Sequence, residues 1–270
     1  MNKRMFDELK NFMTTITDWV VLLIVFTVFF FTCNVETVTL FNKVTVLPVP
    51  AEVSFAADFF TLLISGTAPE GLPIIATSPT TAFVIQVKLA LLLAIFFTFP
   101  VFLLRLIAFL HPALHKREQR FIYLSLVPLT VLFFGGVYFS YVFIVPTTLE
   151  VLYAYTAPIG ATQLLGVAEF VGVVMALLLA TGLAFTVPVL MSFLTLLGLV
   201  SSRFWFENAR YAIVFFLVIS AIITPDGSGV SMVLLSLPVS TLYGVGIFAC
   251  MQIDRVAKKE SDVSRTRFSN

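Results

Sequence analysis

The chain has 270 residues, 59% of them hydrophobic and 11% charged, with 16 Lys and Arg against 15 Asp and Glu. One soluble core cannot hide that much apolar surface, so a soluble globular fold is excluded and most of the chain must face lipid or other buried helices. A net charge of +1 gives no reason to expect a nucleic-acid partner.

In chain order, six apolar segments are expected to cross a bilayer: about 19–35, 82–110, 121–146, 165–199, 211–223 and 230–250. A hydrocarbon layer about 30 Å thick needs about 20 residues of helix. The runs from Trp19 to Phe31 and from Val84 to Phe99 are apolar on every side, whereas barrel strands would alternate, so the segments are read as helices. The first segment follows Lys3 and Arg4. Asp7, Glu8 and Asp18 intervene, however, and Thr32-Cys33-Asn34-Val35-Glu36 offers no small-x-small cleavage site, so it is read as a true span rather than a cleaved signal.

The outer cap loop, 36–81, is long and mixed. Its stretch Ala57-Asp58-Phe59-Phe60-Thr61-Leu62-Leu63-Ile64 is too short to cross and is expected at the outer interface. Pro100, Pro128, Pro188 and Pro238 fall inside spans and are expected to bend them. Gly172, Ala176, Ala180 and Ala184 recur every four residues, a stripe that would allow close helix contact. Segment 211–223 offers only about 20 Å of helix, which calls for local thinning of the bilayer or a covering partner. The turn Thr224-Pro225-Asp226-Gly227-Ser228-Gly229 follows, and 251–270 forms a tail. The expected fold is an all-α integral membrane protein, a single transmembrane domain over 1–270. Its six transmembrane helices, several proline-bent, form a concave bundle with short helices 5 and 6.

Of the 16 basic residues, 14 fall on one side of this arrangement: Lys3, Arg4 and Lys10; Arg105, Lys116, Arg117 and Arg120; Arg203 and Arg210; Arg255, Lys258, Lys259, Arg265 and Arg267. The positive-inside bias then puts both termini in the cytoplasm. Lys43 lies outside and Lys88 in or near the second span.

Catalytic patterns are missing: there is no phosphate-binding Gly-rich loop and no G-x-S-x-G, so no enzyme and no cofactor is expected. His111 and His115 have zinc-helix spacing, but Pro112 follows the first and no Glu follows it, so no metal is expected. What remains is carboxylates at the cytoplasmic face, Glu8 and Glu118. They are either solvated interfacial charges or acceptors for guanidinium groups of a ligand. Lys88 either snorkels or acts within the membrane, Asp226 either serves its turn or a partner, and Glu169 is either interfacial or functional.

The stretch Phe109-Leu110-His111-Pro112-Ala113-Leu114-His115-Lys116-Arg117-Glu118 resembles the signature F-x-x-P-A-L-x-x-x-E of TatC, the multispanning receptor family of twin-arginine translocation. Phe6 to Lys10 resembles the family's amino-terminal H-L-x-E-L-R, Lys88-Leu89 its second-span K-L, and Gly136 to Pro146 the end of its third span; Phe185 to Pro188 and Thr224-Pro225-Asp226 follow in family order. The amino-terminal motif departs from the family at Phe6 and Lys10. Thr186 stands where many members carry Glu before the V-P pair.

The resemblance implies a receptor in a prokaryotic-type cytoplasmic membrane that binds Arg-Arg signal peptides of folded proteins. It would nucleate a translocase with TatA-type subunits, a TatB-type subunit being a further candidate, as an oligomer driven by the proton motive force. It also implies the signal-peptide binding set Glu8, Leu9, Phe109, Pro112, Glu118 and Arg120. In it Glu118 and Glu8 meet the planar guanidinium fork, which lysine cannot reproduce. Lys88, Glu169, Thr186 and Asp226 are the partner or intramembrane polar candidates. The alternative is a small-solute secondary transporter or channel, which would show inverted repeats and several mid-depth charges.

Overall fold

The computed structural model describes the backbone of residues 3–40, 43–50, 54–67, 74–76, 78–110, 116–154, 165–224 and 229–268, and the side chains of 13–34, 54–67, 75–76, 78–106, 125–154, 166–224 and 229–256. Nearly all of this is helical, and five helical stretches are long and apolar enough to cross a membrane: Met13–Thr32, Pro79–Leu106, Ser125–Ala154, Val167–Leu196 and Val230–Val256. The fifth expected span, 211–223, falls on a shorter apolar helix, Ala209–Ile223. The chain divides into two compact units, Met1–Pro112 with Tyr155–Met175, and Ala113–Ala154 with Ala176–Asn270.

In the first unit, α1 (Lys3–Thr32) packs along α3 (Pro79–Leu110), with α2 (Phe55–Thr67) beside the carboxyl end of α1. Phenylalanines spaced for one helix face make the joint. Phe26 and Phe30 meet Phe97 at centroid distances of 6.3 and 5.0 Å, and Phe29 and Phe30 meet Phe55 of α2 at 5.9 and 5.7 Å. Between lipid-embedded helices this packing, rather than release of water, holds the pair together.

The expectation of an all-helical chain needs one correction. Residues 33–35, expected to end the first span, and the start of the expected cap loop form an antiparallel hairpin, β1 (Cys33–Leu40) with β2 (Lys43–Pro50), in register from Cys33 opposite Pro50 to Leu40 opposite Lys43. Runs of Val and Thr suit a pleated strand better than a helix, and Pro48 and Pro50 are tolerated in a two-stranded edge. Ser54 then starts α2, accepting the Ala57 amide at its carbonyl, and Asn34 donates to Asp58 Oδ2 at 2.8 Å, tying the strand to the helix. A short parallel bridge, β3 (Ile74–Ile75) with β4 (Leu165–Gly166), leads into α6 (Val167–Phe185). Ala57, Phe60, Ile85 and Val167 help line an apolar cavity of about 220 Å³ in this unit.

In the second unit, α4 (Lys116–Phe139) and α5 (Val145–Ala154) are joined by a π-helical turn, Ser140–Ile144, in which the Val145 amide reaches back to the Ser140 carbonyl. Pro146 explains the wider turn: it has no amide to continue the α pattern, and its ring would clash with the carbonyl four residues earlier. The next break has the same cause. Pro188 at the start of α7 (Val187–Leu196) cannot donate to Ala184, so the expected fourth span is two helices meeting at Thr186.

After Ser201 caps α8 (Ser202–Glu207), α9 (Ala209–Ile223) and α10 (Val230–Phe268) complete the unit, and α10 carries the expected tail as helix as far as Phe268. Met191, Tyr243, Ile247 and Cys250 form a buried cluster covered by Trp205, Ala212 and Phe216. Its polar atoms are matched: Trp205 Nε1 donates to Thr195 Oγ1 at 3.1 Å and the Tyr243 hydroxyl to the Trp205 carbonyl at 3.0 Å. On exposed α8, Glu207 hydrogen-bonds Arg203 at 2.6 Å and holds its guanidinium above its ordinary pKa.

Candidate functional site

The amino-terminal motif forms part of α1. Glu8 and Leu9 lie in its second turn, Glu8 ten residues before Asp18, on a helix that begins at Lys3. Phe109 belongs to the last turn of α3, and Glu118 and Arg120 to the opening turns of α4. The side chains of these five lie outside the described residues, as do Pro112 and Asp226 altogether. The local fold follows from the residues all the same. Pro112 cannot continue a helix, and α3 ends two residues earlier, at Leu110. The charged run Lys116-Arg117-Glu118 then opens α4. Phe109 thus stands at the described end of α3 and Glu118 at the described start of α4.

Approaching Glu8 and Phe109 along their helices, the described side chains include an ion pair that the sequence reading did not contain. Arg105 Nη1 donates to Asp18 Oδ2 at 2.8 Å, joining α3 to α1. One residue on, Trp19 lies against Phe102 with ring centroids 4.7 Å apart and planes tilted by 47°. The signal available beforehand was two opposite charges near the same end of neighbouring spans.

The other polar candidates separate cleanly. Lys88 is exposed on α3, nine residues beyond its start at Pro79, on the same stretch as exposed Phe83, Val84 and Val87. Glu169 is exposed in the first turn of α6, where a negative charge favours the helix start, and its carboxylate lies over Gly166. Thr186 is buried, and its hydroxyl donates to the Leu183 carbonyl at 2.7 Å, a carbonyl that also accepts the Thr186 amide at 3.0 Å. At this helix break a neutral hydroxyl satisfies the backbone where an acid would need its own partner.

The first half of the expected small-residue stripe on α6 makes no close contact among the described residues. Gly172 and Ala176 are exposed, and a methyl group added at Gly172 would meet nothing within 4 Å. The close approach is made instead by Gly136 and Gly182. A methyl group at Gly136 would lie 2.8 Å from Phe185 and the Thr181 carbonyl; one at Gly182 would lie 2.9 Å from Phe133 and Val137. In the same unit the hydroxyls of Ser140, Thr148, Thr181 and Ser231 are buried with no hydrogen-bond partner among the described residues.

Comparison with known proteins gives one consistent picture. Residues 6–238 match the family model described as Sec-independent protein translocase protein (TatC). The chain is similar to the Sec-independent protein translocase protein TatC of Cenarchaeum symbiosum, 36% identical over 233 residues, which is 86% of this chain and 88% of that protein. It is also similar to TatC of Escherichia coli K12, 32% identical over 199 residues, 73% of this chain and 76% of that protein. Among solved structures, one described as the crystal structure of the twin arginine translocase receptor TatC aligns with TM-score 0.73 and 26% identity, covering 92% of this chain and 99% of the other. A second, of the same receptor in DDM, aligns with TM-score 0.74 and 25% identity, covering 90% and 99%.

Proposed function

The chain belongs to the TatC family of Sec-independent protein translocase proteins, and from that premise we propose that it is the receptor that binds Arg-Arg signal peptides of folded proteins at the cytoplasmic face of the membrane and nucleates a translocase with TatA-type partners. As a translocase subunit with membrane-crossing helices it serves protein transport and is not an enzyme. The single observation that carries the receptor reading is the Phe109 to Glu118 signature spanning the end of α3 and the start of α4. Glu118 and Glu8 serve as carboxylate acceptors, because a carboxylate meets a planar guanidinium with two parallel charge-assisted hydrogen bonds and an ammonium cannot return that geometry. Phe109 supplies an apolar contact, with Leu9, Pro112 and Arg120 completing the set. Lys88, Glu169 and Asp226 are proposed contacts for partner subunits. A small-solute carrier is not favoured by the family membership.

In this reading both termini are cytoplasmic, α9 is the fifth, short span, and the whole chain acts as one transmembrane domain in an oligomeric complex. The test is peptide binding to purified protein in nanodiscs, comparing an Arg-Arg signal peptide with its Lys-Lys counterpart. Unaltered protein should prefer Arg-Arg, and Glu118→Gln should weaken that binding by about tenfold or more, the scale of one charge-assisted hydrogen bond. Equal binding of the two peptides, or an unchanged affinity in Glu118→Gln, would refute the assignment.

A further inference from the structure

The ion pair between Asp18 and Arg105 links residues 87 apart in sequence. Both lie in candidate spans, where a lone charge is costly and a partner of opposite sign relieves the cost. Yet the side chains are 50% and 56% exposed, so the pair fills no core; it marks a level on two helices. The neighbouring contacts give the direction. Going up α1 from Asp18 to Trp19, Phe26 and Phe31, the partners on α3 run down from Arg105 to Phe102, Phe97 and Phe83, so the two helices are antiparallel.

That register leaves an overhang. Among the described residues α3 continues from Arg105 to Leu110, about 8 Å, whereas from Asp18 α1 continues in the same direction to Lys3, about 22 Å. Glu8 stands on the overhang, about 15 Å beyond the ion pair. A swing of about ten degrees at the level of the pair would move it by about 2.6 Å along that lever arm. A two-point contact between carboxylate and guanidinium tolerates only a few tenths of an ångström. Trp19 adds packing at this level but no polar tie among the described residues, where its buried Nε1 has no acceptor.

We propose that Asp18 and Arg105 form a positioning strut that fixes the direction of the α1 overhang and so places Glu8 for a guest guanidinium. The inference rests on the receptor reading above and deepens it. A correctly placed carboxylate rewards the planar fork of arginine, whereas a swinging one attracts any cation alike. The strut therefore acts on the preference for Arg-Arg over Lys-Lys more than on whether a peptide binds at all.

The experiment uses the full chain in nanodiscs, with Cys33→Ser and Cys250→Ala removing the native thiols and nitroxide labels at positions 5 and 107. Asp18→Asn, Arg105→Gln and the exchanged pair Asp18→Arg with Arg105→Asp are compared for label distance, melting temperature and the ratio of Arg-Arg to Lys-Lys peptide binding. Each single variant should broaden the distance distribution and cut the ratio about fivefold or more, while the exchanged pair restores both. A sharp distribution in the single variants, an unchanged ratio despite broadening, or an exchange that rescues neither readout would each overturn the strut. No preference in the unaltered protein would refute the receptor reading itself, and the strut would then stand or fall on the label distances.

Discussion

A methyl group at Gly182 would press on the Phe133 ring and Val137 at 2.9 Å, and one at Gly136 would press on the Thr181 backbone carbonyl at 2.8 Å. Side chains can yield by a few tenths of an ångström but backbone yields less, so the two positions are unequal. Gly182→Ala should destabilise the protein by about 1–3 kcal/mol, the range for overpacking, and Gly136→Ala should cost more. Gly172→Ala, with nothing to meet, should change stability by no more than about 0.5 kcal/mol. Thermal melting in one detergent compares all three; equal melting temperatures would show that the close approach is not there. At the proposed receptor site, Phe109→Ala should cost about 1–3 kcal/mol of peptide binding if the ring is fully buried in the complex, measured as the shift in peptide Kd. An unchanged Kd would place the ring away from the peptide.

Among the elements, α8 shows how a very short helix is secured by its caps. Ser201 caps it from within, and Asp254 on α10 accepts the Ser202 amide at 2.8 Å. Asp254→Ala should therefore cost about 1 kcal/mol and speed hydrogen exchange at the α8 amides while leaving those at the centre of α7 protected. Uniform exchange across both helices would contradict a local cap.

The same scale shows what could be read from sequence. Spans were legible because runs such as Val84 to Phe99 are longer than soluble strands and almost wholly apolar, and the break at Thr186 was legible as a bend because Pro188 has no amide to give. The hairpin from Cys33 to Pro50 was missed although Val and Thr dominate its strands, because its polar residues broke the apolar signal that the search for spans relies on. The close-contact face of α6 was misread for a different reason. A helix apolar all round carries no polar face to show which side packs, so Gly172 and Gly182 look alike until their neighbours are known. Of the candidate site, the motif residues could be mapped onto helix ends, but the Asp18 and Arg105 contact depends on the register between two helices, which neither segment encodes alone.

For the whole molecule, parity is the decisive argument. Five crossings would put the basic run Lys3, Arg4 and Lys10 opposite the basic run Arg255 to Arg267, against the positive-inside bias; six put them together. The proposed topology therefore requires α9 to cross, although its 15 residues give about 22 Å of helix against about 30 Å of hydrocarbon. Cysteines placed at Asn2 and Asn270 should then react with an impermeant thiol reagent from the same side of sealed vesicles. Labelling from opposite sides would remove α9 from the spans.

The last helix has 39 residues, about 58 Å, of which its candidate span uses the 27 from Val230 to Val256. The remaining turns make a stiff spacer about 18 Å long between lipid and the chain's carboxyl end. A fluorescent protein fused there rides on a stalk rather than a tether. Energy transfer from it to a headgroup dye should accordingly rise when residues 257–268 are replaced by glycine and serine, which let the reporter sag toward the lipid.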